Sequence, residues 1–125
     1  MFVGVDPDLQ PPFALTIARN GSHTVVSLQG ELDIAAEGEL AAGLGLVLAE
    51  PTSVLTVDLR ELEFMDSTGL RALLQLRTKC EAGDCRLLLI PGGPTVQRAF
   101  DVSGLTGHFT IVDPPETPAE LQMTG

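Results

Sequence analysis

The sequence predicts an α/β fold, in which a mixed β-sheet opens with a hairpin and is packed by α-helices. Strand-like and helical patterns alternate along the chain, and the leucines after Gly69 recur at helical spacing. Strands that alternate with helices are joined by right-handed crossovers, so the later strands should run parallel. At 125 residues the chain is expected to form one domain.

The opening hairpin is predicted from the first residues of this domain. Large and small side chains alternate over Phe13–Ala18, Asn20-Gly21 is a strong hairpin signal, and Thr24–Leu28 provides the returning strand. The GELD sequence at Gly30–Asp33 is expected to end that strand. Residues 1–12 are predicted to form a flexible N-terminal arm.

A first helix is predicted between Ile34 and Leu48. Its three internal glycines each weaken a helix by about 1 kcal/mol relative to alanine, so this helix must depend on packing. Glycines also allow a helix to lie close to the element on which it packs. The residues expected on its inward face are Ile34, Leu40, Ala41, Leu44, Val47 and Leu48.

A second helix is predicted between two buried strands. Val54–Leu59 and Leu87–Ile90 are largely apolar, which is typical of interior strands, and the helix between them covers about Thr68–Cys80 before Gly83 ends it. Arg77 falls on the inward face of this helix. The sequence leaves open whether its stem runs past the apolar surface or its charge pairs with an acid. The inward face comprises Leu70, Leu73, Leu74, Leu76 and Cys80.

The C-terminal part is predicted to add a short helix and an edge strand. Pro91–Pro94 turns the chain into the helix, which ends near Gly104, and Phe109–Val112 follows as the strand. Residues 113–125 are predicted to be a tail, in which Thr117–Glu120 has a capping-box pattern that permits a short helix. The helix before the edge strand should turn Val96, Ala99 and Phe100 inward.

The charge of the chain restricts its partners. Seventeen acidic and seven basic residues give a formal net charge of -10, so nucleic acid and anionic membranes are not expected to bind. A basic patch on another protein fits this charge, although solubility alone explains it equally well. The longest apolar stretch, Leu40–Ala49, is about half the length of a membrane-spanning helix, and no signal peptide is visible. A soluble cytoplasmic protein is therefore expected.

The cysteines and histidines suggest no cofactor or metal. Cys80 and Cys85 are too few for a disulfide scaffold, and their spacing is a weak metal signal, so both are interpreted as packing residues. His23 and His108 are isolated, and neither follows a strand of the predicted parallel sheet. A nucleophilic serine would lack a base, and catalytic and phosphate-loop motifs are absent, so no enzymatic activity is predicted.

A polar segment, Asp66–Gly69, lies between apolar stretches at the start of the second helix. Its loop should emerge at the carboxyl edge of the sheet together with Gly30–Asp33 and Pro91–Pro94, which is where ligands usually bind in such folds. Asp66, Ser67 and Thr68 can each cap the helix, and loss of a cap at Ser67 would cost about 1 kcal/mol. Alternatively, one hydroxyl accepts a phosphoryl group, which the helix start favours.

Three segments of the chain resemble STAS domains, in particular those of anti-sigma factor antagonists. The segments are LQGELD at Leu28–Asp33, VDLRELEFMDSTGLRALL at Val57–Leu74, and VQRAFDVSGL at Val96–Leu105. The resemblance covers about residues 13–112, the predicted domain. It implies a STAS-like α/β fold and a regulatory protein that binds other proteins.

The resemblance also assigns roles to the polar segment. It implies that Ser67 is the phosphoacceptor, that Asp66 is the aspartate preceding it, and that Thr68 and Gly69 match the family positions that follow, with the glycine keeping the turn open. Asp33 of GELD is implied to lie close to the partner-binding rim. Arg71 stands where a small residue is usual in the family. It is expected to contact a phosphate, to contact a partner kinase, or to point to solvent.

The function implied by the resemblance is a phosphorylation switch. The unphosphorylated form would bind an anti-sigma factor that is a serine kinase, release a sigma factor, and be reset by a separate phosphatase. The alternative is a non-signalling STAS module, such as an accessory subunit of a transporter complex, in which the DSTGL loop serves only for docking or capping. The expected partner-binding residues are Asp33, Asp66, Ser67, Thr68, Gly69 and Arg71.

Overall fold

The β-sheet is mixed, as predicted. The computed structural model describes residues 13–113, and within them four strands form one sheet in the order β1-β2-β3-β4. β1 and β2 pair antiparallel, whereas β2 with β3 and β3 with β4 pair in parallel. The strands are β1 (Phe13–Asn20), β2 (His23–Leu32), β3 (Val54–Met65) and β4 (Arg86–Ile90).

The helices follow the strands in the predicted order. Each crossover moves one strand along the sheet in the same direction, so right-handed connections place the helices on the same face. α1 packs against β1 and α2, whereas α3 packs against β3 and α2. The helices are α1 (Glu37–Leu48), α2 (Ser67–Ala82) and α3 (Pro94–Ser103), and short 3₁₀ turns cover Ile34–Ala36 and Thr106–His108.

The core lies between the helices and the facing side of the sheet. Alternate residues of the central strands point into it because successive strand side chains face opposite sides. On the helices, Phe100 of α3 is fully buried and packs edge-to-face on Phe109, with 5.6 Å between ring centroids. The fully buried residues include Val26, Leu28, Leu55, Val57, Leu59, Leu73, Leu76 and Leu89.

The hairpin forms at the predicted place. Asn20 pairs with His23, which leaves Gly21 and Ser22 as the two residues of the turn. Gly21 has a φ of 65°, a left-handed conformation that glycine adopts without strain. The Asn-Gly signal therefore locates the connection correctly, with glycine at the first turn position.

Both central strands are longer than predicted. β2 continues to Leu32 instead of ending before Gly30, and β3 continues past Leu59 to Met65. The GELD segment stays paired because β3 extends beside it, with Leu32 opposite Met65. The register shifts near Gly30, whose φ is 89°, so a glycine-containing bulge replaces the predicted strand end.

The first helix begins later than predicted and has a different inward face. Ile34 lies in the 3₁₀ turn before α1 and is 72% exposed, so its predicted inward position is wrong. Ala41 is also exposed, whereas Ala36 is buried. Gly43 lies against the side chain of Leu15 on β1, which confirms that glycine permits a close approach here. The prediction holds for Leu40, Leu44 and Val47, which are buried.

The structure shows how the Arg77 charge is paired and that the predicted edge strand does not form. Arg77 Nη2 lies 3.2 Å from Glu81 Oε2, one helical turn away, so its charge pairs with an acid. Phe109–Val112 forms no strand, because Ile111 alone bridges to Leu89 after the 3₁₀ turn at Thr106–His108. The N-terminal arm and the helix predicted at 117–120 lie outside the described residues.

Candidate functional site: the rim at the ends of β2 and β3

The GELD loop and the polar segment meet where β2 and β3 end side by side. Leu32 is the last residue of β2 and pairs with Met65, the last residue of β3. The backbone N–H of Asp66 donates to the carbonyl of Leu32 across 3.2 Å. Asp33 and Asp66 are therefore the first residues beyond two adjacent parallel strands, as predicted for these two loops.

Asp66 is the residue that caps α2. Its carboxylate oxygen Oδ1 accepts hydrogen bonds from the backbone N–H groups of Thr68, at 2.9 Å, and Gly69, at 3.4 Å. These groups have no partner within the helix, and a negative charge there is favoured by the helix dipole. α2 starts at Ser67, one residue before the predicted start at about Thr68.

Ser67 does not cap α2. It is the first residue of α2 and is exposed, and within residues 13–113 its hydroxyl makes no hydrogen bond. Thr68 is half-buried, and its backbone N–H is already bound by Asp66. The expectation that Ser67 contributes a cap is wrong, because Asp66 caps this end of the helix, and the serine hydroxyl is left free for chemistry.

Gly69 lets the first turn of α2 lie directly on the strand ends. It is buried, and a Cβ atom there would come within 2.6 Å of Met65 Cγ and 2.9 Å of Leu32 Cγ. These separations are shorter than carbon atoms tolerate, so a larger residue would push the helix away from the strands. Close packing is thus the reason for this glycine, where the family pattern implied that it keeps the turn open.

Asp33 organises the neighbouring loop in the same way. Its side chain accepts a hydrogen bond from the backbone N–H of Ala35 at 3.0 Å and caps the 3₁₀ turn. The capped turn holds Ile34 outward, next to the strand end. The carboxylates of Asp33 and Asp66 are therefore structural caps that also make this edge of the sheet negative.

Two apolar residues of this region were not predicted to be functional. Ile34 is 72% exposed and Phe64 is 41% exposed. Phe64 precedes the buried Met65, so strand alternation turns it away from the helices. Large exposed apolar side chains beside polar groups are typical of protein interfaces. We refer to Asp33, Ile34, Phe64, Asp66 and Ser67 together as the rim.

Arg71 lies one turn after Ser67 on α2. It is exposed and borders a groove between α1 and α2, together with Thr68 and, from α1, Glu37. Within residues 13–113 the Arg71 side chain makes no hydrogen bond and no ion pair. Its guanidinium group is thus available to a ligand or a partner.

The third loop does not reach the rim. A Cβ atom on Gly92 would lie 2.7 Å from the carbonyl oxygen of Leu59, so the Pro91–Pro94 turn sits beside the middle of β3. From Leu59 the strand continues to Met65, about 20 Å further at the usual rise per residue. The prediction that all three loops meet is wrong, because β3 is longer than its apolar stretch indicated.

The cysteines and His23 take part in packing away from the rim. Cys80 and Cys85 are both buried and unpaired, and burial raises the pKa of Cys80 to about 12, with its contact to Cys85 adding to the shift. His23 Nε2 lies 3.0 Å from Thr56 Oγ1 within the sheet. Between residues 13 and 113, no cluster of three or more histidine, cysteine or acidic side chains is placed to hold a metal ion.

Across residues 13–113, every helix is too short or too polar to cross a bilayer.

The sequence of the described residues matches a protein-family model. Residues 15–113 match the family model described as Mlab, STAS domain. Because this match covers most of the chain, the protein belongs to the STAS domain family. The resemblance drawn from the GELD, DSTGL and FDVSGL segments is confirmed.

The relatives with assigned names are regulators. The anti-sigma-F factor antagonist RsfB of Mycobacterium tuberculosis is 27% identical over 97 residues, which cover 78% of this chain and 79% of the relative. An anti-sigma F factor antagonist of Lysinibacillus sphaericus is 33% identical over 82 residues, which cover 65% of this chain and 70% of the relative. Both names describe antagonism of a regulatory protein.

Solved structures show the same fold. The anti-sigma factor antagonist SpoIIAA in its unphosphorylated form has a TM-score of 0.72 and 27% identity, and the match covers 90% of this chain and 97% of that one. The Bacillus cell fate determinant SpoIIAA in its phosphorylated form has a TM-score of 0.66 and the same identity of 27%, with coverage of 88% and 99%. SpoIIAA has therefore been seen in both states.

Proposed function

We propose that this protein is an anti-sigma factor antagonist, and that its rim binds an anti-sigma factor with serine kinase activity. The observation that carries the proposal is the exposed Ser67 hydroxyl, which is unbonded within residues 13–113 and lies at the start of α2. The relatives named as anti-sigma factor antagonists, and the phosphorylated form of SpoIIAA, support it. In this proposal the protein binds the anti-sigma factor and is phosphorylated by it, so the partner is the enzyme.

Ser67 is the proposed phosphorylation site because of its position and exposure. A phosphoryl group carries about -1.5 to -2 charges at neutral pH and is favoured beside the N-terminus of a helix. Thr68 is a poorer acceptor, since it is half-buried whereas Ser67 is exposed. A kinase can approach Ser67 from solvent without unfolding α2.

The rim gives the unphosphorylated form a surface for binding. Ile34 and Phe64 provide apolar contact area, and Asp33 and Asp66 provide negative charge that suits a basic patch on the partner. A phosphate on Ser67 would add charge beside two carboxylates within the same contact. The partner would then have to bury a dianion where it had accepted a neutral hydroxyl, which weakens binding.

The proposed cycle follows from the difference in partner affinity between the unphosphorylated and the phosphorylated form. The unphosphorylated protein holds the anti-sigma factor and so frees a sigma factor. Phosphorylation of Ser67 ends the contact, and a separate phosphatase restores the free hydroxyl. Because sigma factors act on transcription, we place this cycle in the cytoplasm.

Binding to the candidate kinase tests the proposal. Isothermal titration of an anti-sigma kinase encoded near the gene should show tight binding to the wild type and to Ser67→Ala. Ser67→Asp should bind more than tenfold more weakly, which corresponds to about 1.4 kcal/mol. Asp101→Asn is the control, because Asp101 is an exposed acid on α3 that is not one of the rim residues, and it should bind like the wild type.

Two outcomes would contradict the proposal. The first is that Ser67→Asp binds the kinase as tightly as the wild type does. The second is that mass spectrometry after incubation with the kinase and ATP maps phosphate to Thr68. If no anti-sigma kinase binds and Ser67 stays unmodified, the alternative of an accessory module on a transporter complex is favoured. In that alternative the rim would serve for docking alone.

A further inference from the structure

The distribution of positive charge leaves Arg71 without a partner. In this chain of net charge -10, Arg19, Arg60 and Arg77 pair with acidic side chains, at 3.9 Å, 2.8 Å and 3.2 Å respectively. The other four basic residues make no such pair within residues 13–113. Of these four, Arg71 is the one that lies a single helical turn from Ser67. An unpaired, exposed guanidinium that shares a groove with one carboxylate, Glu37, is available to a stronger anion.

The spacing of Ser67 and Arg71 places both residues on one face of α2. The two residues are four apart on the helix that starts at Ser67, so they lie on the same face one turn apart. The Cα–Cβ bonds of a helix tilt toward its N-terminus, so the long Arg71 side chain can reach back to a group on Ser67. An acid placed four residues before a base is the more favourable order for such a pair.

We propose that Arg71 is the intramolecular counter-cation of a phosphoryl group on Ser67. This inference rests on the proposed function, because it requires that Ser67 be phosphorylated. The guanidinium group donates parallel hydrogen bonds and suits phosphate oxygens better than any other side chain. Phosphorylation would therefore draw Arg71 from the edge of the α1–α2 groove onto the first turn of α2.

The surrounding charges explain why the pair forms only after phosphorylation. Asp66 uses its carboxylate to cap α2, and Asp33 caps the 3₁₀ turn, so both are held by backbone donors. Glu37 borders the same groove as Arg71 but forms no ion pair with it. A phosphate dianion one helical turn away is a stronger competitor for Arg71 than these carboxylates.

The consequence is a phosphorylated form in which part of the added charge is neutralised within the molecule. The phosphate would lie beside the N-terminus of α2, where the helix dipole favours negative charge, and would be paired with Arg71. A phosphatase would have to displace this contact before hydrolysis, so the phosphorylated form should last longer than it would with a neutral residue at position 71.

The test uses the full chain with phosphoserine incorporated at position 67 during translation. A pH titration monitored by ³¹P NMR gives the second pKa of the phosphate in the wild type, in Arg71→Gln and in Arg71→Lys. A nearby cation lowers this pKa, so Arg71→Gln should raise it by about 0.3 pH units and Arg71→Lys should restore part of the shift. Circular dichroism checks that each variant is folded.

Lys79→Gln is the matched control. Lys79 lies on the same helix, is exposed and carries the same charge, but it is three turns from Ser67, about 18 Å along the axis. Its replacement should leave the phosphate pKa unchanged. An equal shift in both glutamine variants, or no shift in Arg71→Gln, would overturn the proposal.

This experiment separates the inference from the function on which it rests. Phosphoserine is introduced without a kinase, so the phosphate pKa can be read even if no anti-sigma factor binds. Conversely, an unchanged pKa in Arg71→Gln would leave the kinase-binding measurements with Ser67→Asp unaffected. Failure of either proposal is therefore recognisable on its own.

Discussion

At the scale of single residues, the neighbouring polar residues Asp66, Ser67 and Thr68 have different roles, although the sequence presents each as a possible helix cap. Asp66 holds the helix start through its carboxylate, Thr68 contributes a backbone donor, and Ser67 keeps a free hydroxyl. The helix start is therefore stabilised by Asp66, and the Ser67 hydroxyl remains exposed. The capping energy does not depend on the residue that is proposed to change its charge.

These different roles predict unequal effects of two alanine substitutions on stability. Asp66→Ala should lower the free energy of unfolding by about 1 kcal/mol, because it removes the acceptor of two backbone N–H groups. Ser67→Ala should change it by less than about 0.5 kcal/mol, since the serine is exposed and unbonded within the described residues. Urea denaturation followed by circular dichroism measures both. Equal losses would show that Ser67 caps the helix after all.

The buried thiol of Cys80 predicts a loss of stability in alkaline solution. Its pKa is raised from 9.0 to about 12 by burial, so the unfolded chain releases this proton at lower pH than the folded protein does. The contribution is therefore fully present below about pH 9 and is lost as the pH rises from there to about 12. Guanidinium denaturation under reducing conditions should show a smaller decline over this range in Cys80→Ala. Parallel declines would contradict the assignment.

At the scale of elements, the site is built by strands that continue past their apolar stretch and by a helix laid on their ends. β2 stays paired with β3 through a bulge, so both strands end at the same level. Gly69 then allows α2 to start in contact with Leu32 and Met65. The position of Ser67 relative to Ile34 and Phe64 follows from these lengths and from this close approach.

A pair of glycine substitutions tests the close approach. Gly69→Ala should lower the free energy of unfolding by about 1 to 3 kcal/mol, because the new methyl group would overlap Met65 and Leu32. Gly45→Ala in α1 is the control, since its added Cβ meets no atom within 4 Å. It should raise stability by about 0.5 to 1 kcal/mol through helix propensity alone. Thermal and chemical denaturation distinguish the two, and a stabilised Gly69→Ala would refute this role for Gly69.

At the scale of the whole molecule, net charge governs how partners approach. A charge of -10 favours fast association with a basic surface and opposes nucleic acid. The rim carries acidic caps beside apolar side chains. In the proposed complex, charge attraction would act over distance and apolar contact would act once the surfaces meet. Rate and lifetime of the complex should therefore depend on different parts of the molecule.

Salt should separate these two contributions. The association rate constant with the anti-sigma kinase is expected to fall about tenfold as ionic strength rises from about 0.05 M to about 0.5 M, because screening removes long-range attraction. The dissociation rate should change much less, since it reflects the apolar contacts of Ile34 and Phe64. Stopped-flow or surface plasmon resonance measurements give both rates. An association rate that does not respond to salt would rule out steering by the net charge.

The sequence by itself determined the order of strands and helices, the hairpin at Asn20-Gly21, the helix start after Asp66 and the family. These features depend on local physics: alternation of apolar residues, turn chemistry and capping act within a few residues of the chain. The short motifs around Asp33 and Ser67 were enough to indicate a regulatory domain. Their spacing also indicated correctly that these two loops share one edge of the sheet.

Only the tertiary structure decided how far β3 extends, which residue caps α2 and which apolar side chains remain exposed. β3 reaches Met65 because β2 stays paired with it through a bulge, and this length separates the Pro91–Pro94 turn from the rim. Ile34 points outward because the cap from Asp33 makes a 3₁₀ turn before α1. Each outcome depends on pairing or packing between distant segments, which local sequence patterns do not record.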